Sequence, residues 1–380
     1  MARATLLFLS GAASFATAAS LIPVLFAKLT TRIRRANLKS AFGGGVEWTS
    51  EVRTQTSASP AQGRILEESW ANDPEITAFK GTFFAQPHPY VTPEGLTTHG
   101  ALAWAEGGGI EEGPRPGIVL VHTAVGPQDL FLRWRAQTLA TRGYVVLIAD
   151  MYGDKNGAGW DAEWSAPRKQ YYADHREMLQ QNLRYAISAL AACPLVDDTR
   201  LAAVGYCFGG RAVLDLLKGE EPPPPGFRGV VSFHGIADEY VAPAPPGMMN
   251  QPETPLQPPS SPGITSAAAN LAAATADFLG TSSPRANASD ASAPSRTATY
   301  ALISTARADP FIPNLGGCLS ALTARNVMWE LQQFGPNTGA KHGFTNPAQR
   351  LNDNKAFGYT PIADKASWRY SKAFLETILE

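Results

Sequence analysis

The stretch LAAVGYCFGGRAVLDLL, residues 201–217, decides how this chain folds. An uncharged run ends at Tyr206, and an amphipathic run opens with Arg211. Cys207 lies between them, with Gly205 and Gly209 two residues away on either side. A short continuous apolar run fits a strand buried on both faces, and the spaced apolar positions beyond it fit a helix. Gly-x-Cys-x-Gly at that junction has the spacing of a nucleophile elbow, with sulfur where a hydroxyl is usual. Larger neighbours would crowd so tight a turn, and the N–H groups at the start of the next helix favour a thiolate. A buried structural cysteine beside a tight turn is the competing reading. A phosphate-binding loop is disfavoured, because no Lys-Ser or Lys-Thr pair follows the glycines.

Working outward, the same alternation recurs. GIVLVH (117–122), YVVLIAD (144–150), GVVSFHG (229–235) and TYALIST (299–305) are apolar strands, and NVMWELQQFG (326–335) is a half-buried one. A helix is predicted through DLFLRWRAQTLATRG, ended by Gly143. A long helix is predicted over 170–192, where Tyr171, Met178, Leu179, Leu183, Ile187 and Leu190 recur at helical spacing. Strands apolar on both faces and separated by helices imply an α/β fold, with a mostly parallel central sheet and helices on both faces. AFKGTFFAQ and LTTHGALAW read as an antiparallel hairpin that opens the sheet.

The net charge of −1 over 380 residues offers no polybasic surface for nucleic acid. The balance conceals an asymmetry. Residues 1–46 carry Arg3, Lys28, Arg32, Arg34, Arg35 and Lys39 and no acid, which leaves 26 basic against 33 acidic residues in the remainder. This apolar, Ala/Ser-rich and basic segment reads as a targeting sequence for an organelle, plastid or mitochondrion. A secretory signal or a membrane anchor is the alternative, and a membrane partner follows only if the segment is retained. Residues 47–75 read as a polar linker and 76–380 as the body. Within the body, 241–298 is rich in Pro, Ala, Ser and Thr and is expected to be a disordered insert. Cys193, Cys207 and Cys318 cannot all pair, and no Cys/His cluster suggests a metal site, so no metal or other cofactor is expected.

A thiol nucleophile needs a base, and the base needs an orienting group. His342, in GAKHGFTNP, follows the last predicted strand in a Gly-flanked loop. Asp309, in STARADPFIP, follows the strand at 299–305. Both belong at strand exits, on the sheet edge where Cys207 emerges, and reactive groups collect beyond the carboxyl ends of parallel strands. The order nucleophile, acid, histidine is that of the α/β-hydrolase fold. Phe208 N–H is expected as one oxyanion donor and Ala124 N–H, in HTAVGPQD, as the other. His122 and His234, at strand ends, fit either a pocket wall or the core, and Asp150 reads as structural.

Together GYCFGG, ADPFIP and HGFTNP resemble the dienelactone hydrolase family, cysteine-dependent members of the α/β-hydrolase superfamily. The likeness spans residues 76–380 apart from the insert. It implies a Cys207, Asp309, His342 triad that cleaves carboxylic esters, typically lactones, through a thioester. A thioesterase or acyltransferase on the same triad, or a catalytically silent binding protein, are the alternatives. The resemblance also implies where this chain departs. The family's loop glutamate is here Thr123, which cannot take up a proton near neutral pH, so His342 is expected to generate the thiolate directly or as a resting pair. Arg168 and Tyr172 match a family pair that grips a substrate carboxylate, and they share a helix face at i and i+4. Asn346 stands where the family carries a second arginine, which leaves a neutral ester or lactone open as substrate.

Overall fold

In the computed structural model, residues 46–47, 59–93, 95–153, 162–237 and 298–380 are described. The expected leader (1–46) and insert (241–298) lie outside these residues except at their last positions.

Nine strands form one sheet in the order β1-β2-β3-β5-β4-β6-β7-β8-β9. The strands are β1 Val46–Glu47, β2 Gly81–Pro87, β3 Ala101–Gly107, β4 Arg115–Val121, β5 Val145–Ala149, β6 Val196–Tyr206, β7 Phe227–Phe233, β8 Tyr300–Ala306 and β9 Met328–Phe334. From β5 to β9 every neighbouring pair is parallel. The opening hairpin β2–β3 is antiparallel, as its sequence predicts, and β3 joins β5 antiparallel. In register, Val121 pairs with Gly205 and Gly205 with Ser232, so β4, β6 and β7 end side by side.

Strand residues alternate between two cores. Val119, Val121, Val145 and Leu147 face α5 (Arg176–Ala191), α6 (Phe208–Lys218) and α7 (Gly316–Ala324). Ile118, Leu120, Val146 and Ile148 face α1 (Pro60–Ala71), α3 (Leu130–Ala140) and α8 (Pro361–Leu379). Period-two alternation with apolar residues on both sides is what a sheet covered on both faces requires.

Two expectations need correction. The segment 47–75 is not a polar linker throughout. Ser59 caps α1 by accepting the Gln62 N–H, Pro60 opens the helix, and Leu66 and Trp70, four apart, are buried against the sheet. Helix α2 (Pro74–Ala78) follows, capped by Asp73. The predicted long helix over 170–192 is two helices. α4 (Ala162–Asp174) stops before His175, whose backbone (φ −121, ψ 69) is not helical, and α5 resumes at Arg176. At the new helix start the Arg176 guanidinium, with Lys218, converges on the buried Asp215 of α6.

Candidate active site

Cys207 lies at the junction of β6 and α6 with φ 56 and ψ −112, a conformation that a non-glycine residue adopts only under constraint. The constraint comes from both sides. Cys207 N–H donates to Phe233 O (3.0 Å), and Arg211 N–H donates to Cys207 O (3.0 Å). A Cβ at Gly205 would stand 2.1 Å from Gly209 O, and one at Gly209 would stand 2.4 Å from Val121 O. The flanking glycines are therefore a packing requirement of this turn.

The structure brings Asp309 and His342 to the sulfur. His342 Nε2 is 3.0 Å from Cys207 Sγ, and His342 Nδ1–H donates to Asp309 Oδ2 at 2.7 Å. Asp309 sits three residues beyond β8, and its other oxygen accepts the Phe311 N–H. His342 is fixed through its backbone, its N–H donating to Ala356 O and its carbonyl accepting from Gly358 N–H. Phe311 and Phe357 meet its ring edge-to-face, as does His234. Asp309 and His342 are 3% and 1% exposed, so bulk water does not compete for their hydrogen bond.

Burial alone would push the Cys207 thiol up. The charge of His342, its hydrogen bond, and the Phe208 and Ala124 N–H groups outweigh burial and hold it below the usual range. Burial would lower His342, yet the facing sulfur and the Asp309 carboxylate raise it. Both shifts point to a thiolate–imidazolium pair at rest. The two N–H groups that steady the thiolate belong to Phe208 and Ala124, the residues expected to supply the oxyanion donors.

Neighbouring residues hold these donors. His122, at the end of β4, donates Nδ1–H to Thr123 O (2.5 Å) and accepts the Met151 N–H on Nε2 (3.0 Å). Burial lowers the pKa of this ring. Tyr152 donates its hydroxyl to Ala124 O (3.0 Å) and packs against both His122 and Phe208. Asp150 accepts N–H groups from His99, Tyr152 and Gly153, a structural role in keeping with its sequence reading. Tyr152 itself carried no recognisable signal, because a lone tyrosine after a strand is unremarkable until its neighbours are placed.

A cavity of about 150 Å³ opens on Cys207 and His342. Thr123 and Ala124 line it, with His234, Asn346 and, unforeseen from the sequence, Gln62, Leu66, Asp129 and Gln349. Thr123 accepts the Val125 N–H on its hydroxyl. The carboxylate-gripping role expected of Tyr172 does not fit its position. Tyr172 is 2% exposed, accepts from Asn182 Nδ2 (3.0 Å) and stacks on Tyr152, the residue that bonds Ala124 O. Arg168, one turn earlier on α4, is half-buried and acts on Tyr152 electrostatically. Neither residue lines the cavity. Among the described residues no cluster of His, Cys, Asp and Glu is placed to hold a metal ion, and no helix is long and apolar enough to cross a membrane.

The dienelactone hydrolase family profile matches residues 108–259 and 263–379, and so most of the chain. The chain belongs to the dienelactone hydrolase family. It is accordingly a hydrolase on the α/β-hydrolase fold, and solved structures agree on that fold. A protein described as m3DLH is 24% identical, with a TM-score of 0.56, covering 78% of this chain and 99% of its own. A dienelactone hydrolase-like promiscuous phosphotriesterase, P91, from metagenomic libraries is 23% identical with the same TM-score and the same coverage. An uncharacterised protein of Caenorhabditis elegans is 38% identical over 63 residues, which are 17% of this chain and 38% of that relative's length.

Proposed function

We propose that this dienelactone hydrolase family member hydrolyses carboxylic esters, lactones included, through a thioester on Cys207. The observation that carries the reading is the line Sγ–Nε2 (3.0 Å) and Nδ1–Oδ2 (2.7 Å), with two backbone N–H groups facing the same sulfur. The Cys207 thiolate attacks the ester carbonyl carbon, and the charge moves to an oxygen that accepts from Phe208 and Ala124 N–H. Collapse breaks the C–O bond, and His342 Nε2–H gives its proton to the departing alkoxide. Water then enters, Nε2 takes its proton, and the hydroxide adds to the thioester. The second tetrahedral species expels the thiolate, leaving acid, alcohol and the original ion pair. Asp309 holds the imidazole with Nδ1–H inward and stabilises its charge throughout.

Thr123, in the family's glutamate position, takes no part in proton transfer. The pair itself supplies the thiolate. Turnover of p-nitrophenyl acetate, with a burst of p-nitrophenolate equal to the enzyme, tests the reading. Wild type is expected to show both and Cys207→Ala neither. Equal turnover by the two proteins would remove the thioester.

A further inference from the structure

The cavity wall contains a set of side chains that the triad does not use. Gln62 comes from α1, ahead of the region that matches the family, while Asn346 and Gln349 follow His342. The oxygen of each amide is already engaged. Gln62 Oε1 accepts from Ser59 Oγ (3.4 Å), Asn346 Oδ1 from Ala348 N–H (2.9 Å), and Gln349 Oε1 from Asn352 Nδ2 (2.7 Å). What remains on each is an uncharged NH₂ donor, with no acceptor among the described residues.

The charges lining this space are unbalanced. Among the described residues no lysine or arginine lines the cavity, whereas Asp129 does. One Asp129 oxygen accepts the Phe131 N–H at the start of α3, and Arg133, whose charge acts on it, is outside the lining. Among the described lining residues, the Asp129 carboxylate and the Cys207 thiolate outnumber the His342 imidazolium. An anion entering it would lose hydration and meet, among the described residues, no lysine or arginine, only an imidazolium already paired with Cys207 and Asp309.

We infer that the pocket selects a small uncharged acyl group bearing a hydrogen-bond acceptor, read by the amide donors of Gln62, Asn346 and Gln349, and disfavours the carboxylate-bearing acyl groups that an arginine-lined site would take. This specificity rests on the hydrolase reading for its use, but not for its detection. A volume near 150 Å³ also sets the scale of the group, since a cavity of that order holds a benzene-sized molecule. A five- or six-membered lactone ring, or an acyl chain of similar bulk with an ether or carbonyl oxygen, fits that scale.

Alkylation of Cys207 reads the charge preference without turnover, using iodoacetamide as the uncharged probe and iodoacetate as its anionic counterpart. N-acetylcysteine serves as the free thiol for comparison and Cys207→Ser as the blank. The rate ratio of iodoacetamide to iodoacetate at Cys207 is expected to exceed that of N-acetylcysteine about tenfold or more. Gln349→Arg and Gln62→Arg should each bring the ratio back toward the N-acetylcysteine value. A wild-type ratio equal to or below that of N-acetylcysteine overturns the inference. In a second arm, the kcat/KM ratio of p-nitrophenyl methoxyacetate to p-nitrophenyl butyrate should fall severalfold in Gln62→Ala, and an unchanged ratio removes Gln62 from recognition. A strong alkylation preference in a protein that turns over no ester would leave the uncharged pocket standing and remove the hydrolase reading. Hydrolysis of p-nitrophenyl hemisuccinate as fast as of the butyrate would do the reverse.

Discussion

The hydroxyl of Tyr152 donates to the carbonyl of Ala124, the residue whose N–H faces the Cys207 sulfur. The loop at the end of β4 has its peptides fixed by side chains from outside it as well as by its own packing. Tyr152 fixes one from outside, and His122 fixes the preceding carbonyl from beneath. Preorganised donors contribute more than donors that must be turned into place during the reaction.

Tyr152→Phe keeps the ring packing and deletes the hydrogen bond to Ala124 O. Losing an oxyanion donor outright costs on the order of 100- to 1000-fold in kcat. Loosening one should cost less, about tenfold, with KM for p-nitrophenyl acetate little changed. A fall confined to KM would show that Tyr152 shapes substrate binding instead.

The opposed shifts of Cys207 and His342 give the labelling profile a definite sign. With the thiol held down and the imidazole held up, the ion pair persists between their two transitions. Iodoacetamide should label wild type at a nearly constant rate from about pH 6 to 8. In His342→Ala, burial is left opposed only by the Phe208 and Ala124 N–H groups, so the reactive thiol should titrate at or above the free value of about 8.5. A wild-type profile that rises through about 8.5, identical to the variant's, would rule out the pair. Asp309→Asn should fall between the two, because it removes one of the groups that raise the imidazole.

The reach of the sequence can be seen residue by residue. Cys207, Asp309 and His342 were legible because each carries its own local signature at a strand exit, and the parallel sheet brings strand exits together. Helix α1 was partly legible too. Ser59, Pro60 and Gln62 spell a helix start, and Leu66 and Trp70 lie on one face, but the polar stretch before them masked the pattern. Tyr152, Asp129 and Gln349 were not legible. Their roles depend on which chain segments become neighbours, and no local spacing encodes that. Tyr172 misled because helical spacing with Arg168 says that the two share a face but not which way the face turns.

Asp129 links the pocket to stability. Burial raises its pKa to about 6, against the pull of the Phe131 N–H and Arg133. A carboxyl whose folded pKa lies above its unfolded value, about 3.9, adds stability that is fully present below about pH 4 and is lost as the pH rises through about 6. Asparagine keeps the helix cap without the charge. Asp129→Asn should therefore melt with wild type at about pH 4 and several degrees higher at about pH 7, from a difference on the order of 2–3 kcal/mol. Equal melting temperatures at both pH values would mean that Arg133 already compensates the buried charge.

Arg135 ties α3 and α8 to the His342 loop. Its guanidinium pairs with Asp364 Oδ1 of α8 at 2.5 Å, donates to Thr345 O at 3.1 Å and lies over the Trp134 and Trp368 rings. Thr345 in turn bonds His234, which lines the cavity. Arg135→Met would leave Asp364 buried, with Tyr359 as its remaining side-chain donor among the described residues. Removing one partner of a buried pair typically costs about 3–5 kcal/mol. Burial already raises the Asp364 pKa against the opposing charge of Arg135, and without the arginine it should rise further. A raised carboxyl keeps its contribution at low pH and loses it as the pH climbs, so the variant's melting deficit should be small at about pH 5 and about 10 °C at about pH 8. Adding Asp364→Leu should recover most of that deficit. A deficit independent of pH, unrelieved by the second substitution, would place the loss in the stacking on Trp134 and Trp368 instead of in the buried charge.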